Sequence, residues 1–521
     1  MPSNGHAIYH IRMAPIIRSL DAAFDSKYAI AIVLAACALL ITFTSQVVFM
    51  GLSNSGDEGA YIISARLFSA GRLSIPSPHL SYYYNYYHTI NDGKFYGKYP
   101  PGWPFFLSIG MLAGMPMLVN LFFALSTIYI AYLIGKEQFS RRVGITTALL
   151  MATSPYVIFN SASYFSHTSM LFFTTLFMLI YLRNMDAEKT RNYLWMGLAL
   201  GIAFNIRPLD AVLIGACFIS HYLIRLKGRL SRRETALNGV FSHAKAFAFG
   251  FGFLILLFLL YNHLQTGNAF LTPFQKYDAK DKLSLYLERP KLNLMEDIAG
   301  SLIKRTYVWV PFSLFSFIAF ARSAASQRGR LVLLSSTILI LLIVYSMYWA
   351  DGFYQYGARY LYASASALFI LIAAGMDRVR EINGLFYSSL ALALVFNMAF
   401  IACASPHYNE LFGEKREVYD EVVERNISNA LVFIYGWNYN FMPMPVSEIS
   451  SNNLFFNDSV IYIKMPDNSS MRLTSDYPSR HYFIWKCKYS HKSIGLLDLT
   501  ITSGDNCTLT SFKNEATSAK L

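Results

Sequence analysis

The chain has 521 residues, of which 54% are hydrophobic, 16% aromatic and only 14% charged. Soluble domains carry roughly 25% charged residues, so this composition excludes an ordinary soluble enzyme and points to a membrane protein. The net charge of +13 does not indicate a nucleic-acid partner, because Lys and Arg fall in short runs between apolar segments rather than in one basic domain.

Apolar stretches of about 20 residues mark transmembrane helices. Eleven are predicted, roughly Tyr28 to Met50, Leu118 to Ile134, Ile145 to Phe159, Ser166 to Leu182, Tyr193 to Ile206, Leu209 to Ile224, Ala246 to His263, Gly300 to Phe320, Leu331 to Trp349, Tyr360 to Met376 and Phe386 to Ala404. The first is too long for a signal-peptide core and is expected to remain as a span. With residues 1–27 in the cytoplasm, alternate connections carry the Lys and Arg excess that marks the cytoplasmic side, among them Arg141 and Arg142, Arg183, Arg225 to Arg233, Arg328 and Arg378. The loop around Asp57, the loop from Tyr261 to Gly300, the loop from Trp349 to Tyr360 and everything after Ala404 then face outward. This divides the chain into a membrane domain, 28–404, with a first outward loop at 51–117, and an outward C-terminal domain, 405–521.

The first outward loop opens on Ser53 to Tyr61, which puts adjacent carboxylates, Asp57 and Glu58, at the mouth of a span. Ala60 to Phe68 has apolar residues at helical spacing and reads as an amphipathic interfacial helix. Tyr82 to Tyr87 reads as an interfacial aromatic belt, with a sugar-stacking strip as the alternative. Asn91-Asp92-Gly93 is a turn signal, Pro100-Pro101 stops a helix, and Phe105 to Ala113 is expected to re-enter the bundle. The loop after Tyr261 is basic, with Lys276, Lys280, Lys282, Arg289 and Lys291, which against the orientation rule suggests an anionic headgroup site or general attraction to anionic lipid.

After His407 the chain becomes polar, with β-like runs at Ala430 to Tyr435, Val460 to Lys464 and Tyr482 to Trp485, so a small β or α/β domain is expected. Cysteines show no metal-binding spacing. Cys37, Cys217 and Cys403 fall in apolar segments, whereas Cys487 and Cys507 share the tail and pair if it lies in an oxidising compartment.

The order of Asp57-Glu58 with Tyr61 and Ala65, Asp92 to Tyr96, Tyr99 to Trp103, Ala152 to Pro155, Arg207-Pro208 and Tyr356 to Tyr360 resembles the family 39 type of GT-C glycosyltransferases. These include the protein O-mannosyltransferases and the bacterial lipid A aminoarabinose transferase. The resemblance covers Tyr28 to Ala404 and implies a polytopic helical GT-C fold in a bacterial inner membrane. It further implies transfer of a sugar from a polyprenyl-phosphate donor to an outward acceptor, whether lipid, glycan or protein. Its catalytic feature is the acidic pair, with Asp57 as base and Glu58 beside it. No metal or other cofactor is implied, although a carboxylate-bound divalent cation is an alternative.

A sugar on a lipid phosphate already has a leaving group, so one base and a cationic clamp for the phosphate suffice. Lys94, Lys98, Arg207, Lys276 and Arg359 are the candidate cations, with Tyr356 and Tyr360 flanking Arg359. Adjacent carboxylates are expected to raise one another's pKa, and nearby cations to oppose this. His88 and His167 read as hydrogen-bonding residues rather than metal ligands. The rival reading is a transporter or lipid flippase, which the lack of internal symmetry and the placement of the acidic pair outside the spans disfavour.

Overall fold

A computed structural model of the chain describes residues 19, 21–78, 84, 86–232, 237–277, 292–321, 325–348, 352, 356–380, 384–435, 452–465, 477–494 and 499–512. Tyr82, Tyr83, Lys280, Lys282, Arg289, Lys291 and Trp349 lie outside the described residues.

In hydrocarbon every backbone polar group must find its partner within the chain, which leaves helices as the spanning element for these apolar runs. Among the described residues, eight helices are long and apolar enough to cross a membrane, from Ala29–Val48 to Leu385–Glu424. A ninth crossing is the pair Arg141–Thr153 and Pro155–Ala162, bent by 56°. Pro155 has no amide hydrogen to continue the helix, and the chain turns there. The expected fifth span is the 17-residue helix Thr190–Ile206, about 25 Å long at 1.5 Å per residue. The expected eighth is broken at Val310, before Pro311, into Leu292–Trp309, a 3-10 turn at Pro311–Leu314 and Phe315–Ala321. Residues preceding proline avoid the helical region, and Val310 is at φ −139°.

Side-chain contacts show which helix ends share a side. At one end Arg141 donates to the Phe24 and Ser26 carbonyls at 3.0 and 2.7 Å, Arg142 and Tyr387 both meet Asp21, Arg183 meets Glu137, and Arg330 donates to the Gln138 carbonyl. At the other end the Asp57 loop meets Tyr164, Tyr356 and Lys415. Among the described residues, these arginines gather on the first side, opposite Asp57.

The Asp57 side carries two sheets. In the small one, β1 (Ile75–Pro76), β2 (Thr89–Asn91) and β3 (Lys94–Gly97) lie antiparallel in the order β1-β3-β2. The β2–β3 hairpin turns at the expected Asp92-Gly93, with Gly93 at φ +82°. The C-terminal sheet has the order β5-β4-β6-β7, where β4 is Ala430–Tyr435, β5 Val460–Met465, β6 His481–Ile494 and β7 Leu499–Phe512. Strand β4 lies parallel to β5 and β6, β7 is antiparallel to β6, and Cys487 and Cys507 form a disulfide between β6 and β7.

One face of this sheet, through Leu431, Phe433, Ile461 and Ile463, shares a core with Ile63, Leu67, Tyr86 and Phe95. The other face, through Val432, Ile434 and Trp485, packs on Val418 and Val422. Those two valines belong to the 40-residue helix Leu385–Glu424, which runs from the last span into the C-terminal domain, so the expected boundary at 404/405 falls inside a helix.

The short helix Gly102–Leu112 enters the bundle as expected and exposes Phe105, Ile109 and Leu112 outward. It is pressed against Thr190–Ile206 so closely that a Cβ on Gly102 would stand 2.7 Å from the Asn205 carbonyl carbon and oxygen. Backbone cannot yield as a side chain does. Gly102→Ala is expected to lower stability by roughly 1–3 kcal/mol, read as a lower thermal midpoint of the purified protein, and an unchanged midpoint would refute this close contact.

Candidate active site

The helix Gly56–Ser69 begins under tight local constraint. Ser55 is extended, its hydroxyl accepts from the Glu58 amide at 3.3 Å, and the Glu58 carboxylate accepts from the Ser55 amide at 3.0 Å. This reciprocal capping box satisfies amides that a first helical turn leaves without partners. The same carboxylate accepts from the Asn54 amide at 2.7 Å and from the Tyr164 amide at 2.8 Å. Lys415, on the last helix, donates to the Asn54 carbonyl at 2.7 Å. Glu58 is 1% exposed. Burial raises its pKa, against the opposing pull of these amides and of Lys415. Its hydrogen bonds are all to groups other than the partners of Asp57, so the structure gives Glu58 a clamping position apart from His88, Tyr99 and Arg359.

Asp57 sits in the first turn, where the helix dipole favours a carboxylate. Gly56 allows the chain near His88 to approach, since a Cβ there would meet the Tyr87 Cβ at 2.7 Å. The Tyr99 hydroxyl donates to Asp57 Oδ1, His88 Nε2 lies 3.2 Å from the same oxygen, and Arg359 Nη1 lies 3.5 Å from Oδ2. Tyr61 stacks beside Tyr99 with ring centres 4.4 Å apart. Asp57 remains one-quarter exposed, so the carboxylate is held but reachable.

Burial pushes the Asp57 pKa up, but His88, Arg359, the Tyr99 hydrogen bond and Lys98 together outweigh it and bring it to about 2. The upward shift expected from paired carboxylates is therefore reversed for Asp57, because cations and donors surround it while Glu58 is engaged elsewhere. Burial lowers the His88 pKa to about 4 despite Asp57, so at neutral pH His88 is uncharged and donates through Nε2. Near pH 2, where Asp57 takes up its proton, His88 is already a cation. Burial and the Asp57 charge raise the Tyr99 pKa, keeping its hydroxyl protonated as a donor.

The other candidates separate into two groups. Lys98 is 4% exposed, with its ammonium 4.3 Å from the Phe274 ring centre, 4.5 Å from Tyr277 and 5.5 Å from Tyr99, and it acts on Asp57 electrostatically. Arg359 is held by the Gly352 carbonyl and lies over the Phe165 ring at 4.6 Å. Arg207 donates to Asp210 at 2.5 Å and to the Tyr345 hydroxyl at 3.3 Å, and lies 3.4 Å from His167 Nε2. Tyr360 stacks on Tyr345 at 4.4 Å, which joins this cluster to Arg359.

Lys94, Lys276 and Tyr356 are not brought to Asp57. Lys94 donates to the Leu264 carbonyl at 3.1 Å, Lys276 pairs with Asp92 at 3.0 Å, and Tyr356 is fully buried among Phe49, Phe159 and Tyr408. Tyr99 and Lys415 were not among the expected site residues. Tyr99 adjoins the noted Pro100-Pro101 pair, whereas Lys415 lies beyond the expected end of the last span. Asp57 and His88 adjoin as potential metal donors, but Arg359 and Lys98 place two positive charges within reach of the same carboxylate, which disfavours a metal cation there.

The architecture is shared with ArnT from Cupriavidus metallidurans in the apo state, with a TM-score of 0.54 at 10% identity over 89% of this chain and 97% of that one. The fold is that of the GT-C glycosyltransferases. A GT-C oligosaccharyltransferase from Archaeoglobus fulgidus, tethered to an acceptor peptide containing the NVT sequon, matches with a TM-score of 0.50 at 13% identity, over 89% of this chain and 69% of that one. ArnT bound to undecaprenyl phosphate aligns with a TM-score of 0.49 at 13% identity, over 77% and 73% of the two chains. By sequence, residues 98–249 match the family model described as dolichyl-phosphate-mannose-protein mannosyltransferase. No curated relative matches the chain by sequence.

Two outcomes follow from the site's electrostatics. Glu58→Gln removes the charge that the Asn54, Ser55 and Tyr164 amides and Lys415 are built around, and is expected to cost roughly 3 kcal/mol, read by thermal unfolding in detergent. The pKa of His88 is lowered on folding, so folding excludes its proton, and that contribution to stability is lost as pH falls from 6.5 to about 4. His88→Gln is expected to flatten the stability curve across that window, and an unaltered acid limb would show that His88 is not buried beside Asp57.

Proposed function

We propose that this protein transfers a sugar from a polyprenyl-phosphate donor to an acceptor on the outer face of the membrane. The carrying observation is the meeting of Asp57, Arg359 and Lys98 in one partly open position. The family description matched by residues 98–249, with its dolichyl-phosphate-linked sugar, supports the donor class. In the proposed step the acceptor hydroxyl or amine attacks the anomeric carbon as the bond from that carbon to the phosphate oxygen breaks. The bonding pair leaves on the phosphate, and the acceptor's proton passes to Asp57. A single displacement of this kind inverts the anomeric centre.

Arg359 and Lys98 take the charge growing on the departing phosphate, with Arg207 and Tyr360 extending the cationic cluster. A carboxylate with a pKa of about 2 is a weak base. A bound phosphate partly neutralises Arg359 and Lys98, which raises the basicity of Asp57 when the donor is in place. Glu58 acts by holding Asp57, not by taking the proton. No resident metal or cofactor is part of the proposed step.

The proposed orientation puts the arginine-rich ends in the cytoplasm and the C-terminal domain outside, as in a bacterial inner membrane facing the periplasm. The arginine bias and the Cys487–Cys507 disulfide support it, since disulfides persist in oxidising compartments. A site at the ends of the helices, where loops converge, favours transfer at a membrane surface over the transport reading, which requires a site near mid-membrane.

The test is incubation of purified enzyme with radiolabelled polyprenyl-phosphate sugars and membrane extract. Asp57→Asn is expected to lower label transfer by on the order of 10²–10⁴-fold with unchanged thermal stability. Arg359→Gln is expected to lose on the order of 10²–10³-fold. Full transfer by the Asp57 variant would overturn the assignment.

A further inference from the structure

His88 stands in a conformation that its own chemistry does not favour. Its φ is +59°, a left-handed value that residues with a Cβ seldom adopt. Such strain persists where the surroundings impose it, and it gathers at functional sites. Both backbone polar groups of His88 are engaged: its carbonyl accepts from the Lys98 amide at 2.9 Å, and its amide donates to the Tyr277 hydroxyl at 3.2 Å. A Cβ on Gly56 would lie 3.3 Å from His88 Cδ2, so the glycine before Asp57 makes room for the edge of the imidazole.

Tyr277 comes from the basic outward loop, at the end of the short helix Pro273–Tyr277. That helix is fixed at its start, where the Thr272 hydroxyl accepts from the Gln275 amide and the Gln275 side-chain oxygen accepts from the Thr272 amide, each at 3.1 Å. Near its end Lys276 pairs with Asp92 in the β2–β3 turn, and the Tyr277 ring centre lies 5.6 Å from that of His88. The described part of this loop is thus attached to both the backbone and the ring of His88.

The consequence lies at the two oxygens of Asp57. Oδ1 accepts from the Tyr99 hydroxyl and faces His88 Nε2 at 3.2 Å, whereas Oδ2 has only Arg359 Nη1, at 3.5 Å, among the described residues. A carboxylate oxygen has two lone pairs, so two donors fill Oδ1. His88 Nδ1 is buried without a partner among the described residues, which leaves the ring one hydrogen bond to make, through Nε2–H, and no second acceptor for an imidazolium.

We propose that His88, held by Tyr277, is a positioning residue that occupies Asp57 Oδ1 and so reserves Oδ2 to receive the acceptor's proton. This rests on the transfer reading above. Oδ2 is the oxygen beside Arg359, so the attacking atom and the departing phosphate meet on one side of the carboxylate. The acceptor's proton bonds to Oδ2 as its attacking atom bonds to the anomeric carbon, the phosphate leaves with the pair from the broken carbon–oxygen bond, and His88 keeps its Nε2 proton throughout.

The test pairs a spectrum that needs no turnover with the transfer assay. Full-length protein carrying nitrogen-labelled histidine is studied by NMR in nanodiscs at neutral pH, where the signal absent from His88→Gln belongs to His88. It is expected to report a neutral ring protonated at Nε2, and to move in Asp57→Asn and in Tyr277→Phe. A ring protonated at Nδ1, a cationic ring, or a signal unmoved by Asp57→Asn overturns the proposal whether or not sugar is transferred. With radiolabelled polyprenyl-phosphate sugar, His88→Ala is expected to lower kcat on the order of 10–100-fold with the donor KM unchanged. His88→Gln, which keeps a donor at the Nε2 position, is expected to recover most of that loss. Tyr277→Phe is expected to lower kcat less, and to cost nothing further when added to His88→Ala. An undiminished kcat in His88→Ala, or equal losses in the Ala and Gln variants, overturns the role of His88, and additive losses overturn that of Tyr277. If His88→Ala does not fold, the spectrum and Tyr277→Phe decide. No transfer by the wild type with any donor overturns the transfer reading, and the spectrum then decides the contact of His88 with Asp57 by itself.

Discussion

The site depends on one buried carboxylate that faces elsewhere. Glu58 gathers amides from Asn54, Ser55 and Tyr164, and Lys415 closes the same loop through Asn54. A buried charge is stable only when so compensated, and the compensation here draws on the first outward loop, the turn after the bent helix and the last helix. Because Asp57 is the preceding residue in the same helical turn, fixing Glu58 fixes the direction in which Asp57 emerges. Asp57 needs no rigid partner of its own, which leaves its contacts with His88, Tyr99 and Arg359 to tune it.

The C-terminal domain extends this logic. Its sheet shares a core with Ile63 and Leu67, on the Asp57 helix, and Arg66 on that helix donates to the Asn452 carbonyl at 2.5 Å. On its opposite face it rests on the continuation of the last span. The helix carrying Asp57 is therefore held by Tyr164 and Lys415 at its start and by a folded domain along its length. That arrangement suits a site where a lipid-borne donor and a separate acceptor must meet at fixed geometry.

Much of this was legible in the sequence, and the reasons for the rest are physical. Apolar length marked the polytopic helical membrane domain, and the Asn-Asp-Gly turn and the β-like runs of the tail stand where expected. Asp57, Lys98 and Arg359 were recognisable because charged residues in short polar loops at span ends are few. Glu58 was expected beside Asp57 as a supporting residue, and it engages other partners because successive side chains on a helix diverge by about 100°. Lys94, Lys276 and Tyr356 were placed at the site by type and loop, whereas a carbonyl, an acid and an aromatic stack claim them. Tyr99 opens one of the motifs noted in the sequence but was not assigned to the site, and Lys415, beyond the expected end of the last span, carries no signal until the fold brings it to the loop. The breaks at Pro155 and Pro311 were visible as prolines, but not how far the helix axis turns.

The contacts that complete the cleft are distant along the chain. Arg359 is 302 residues from Asp57, and Lys415 is 361 residues from Asn54. During synthesis, the first outward loop emerges long before either partner, and contacts of such separation form late. The loop therefore has its local partners early, but Asp57 lacks Arg359 and Asn54 lacks Lys415 until the last two helices have been inserted. A truncated or stalled chain would carry Asp57 without Arg359 and Asn54 without Lys415, and so would be recognisably unfinished. A completed set of Asp57 and Asn54 contacts in such a layout is itself a report that membrane insertion has been completed.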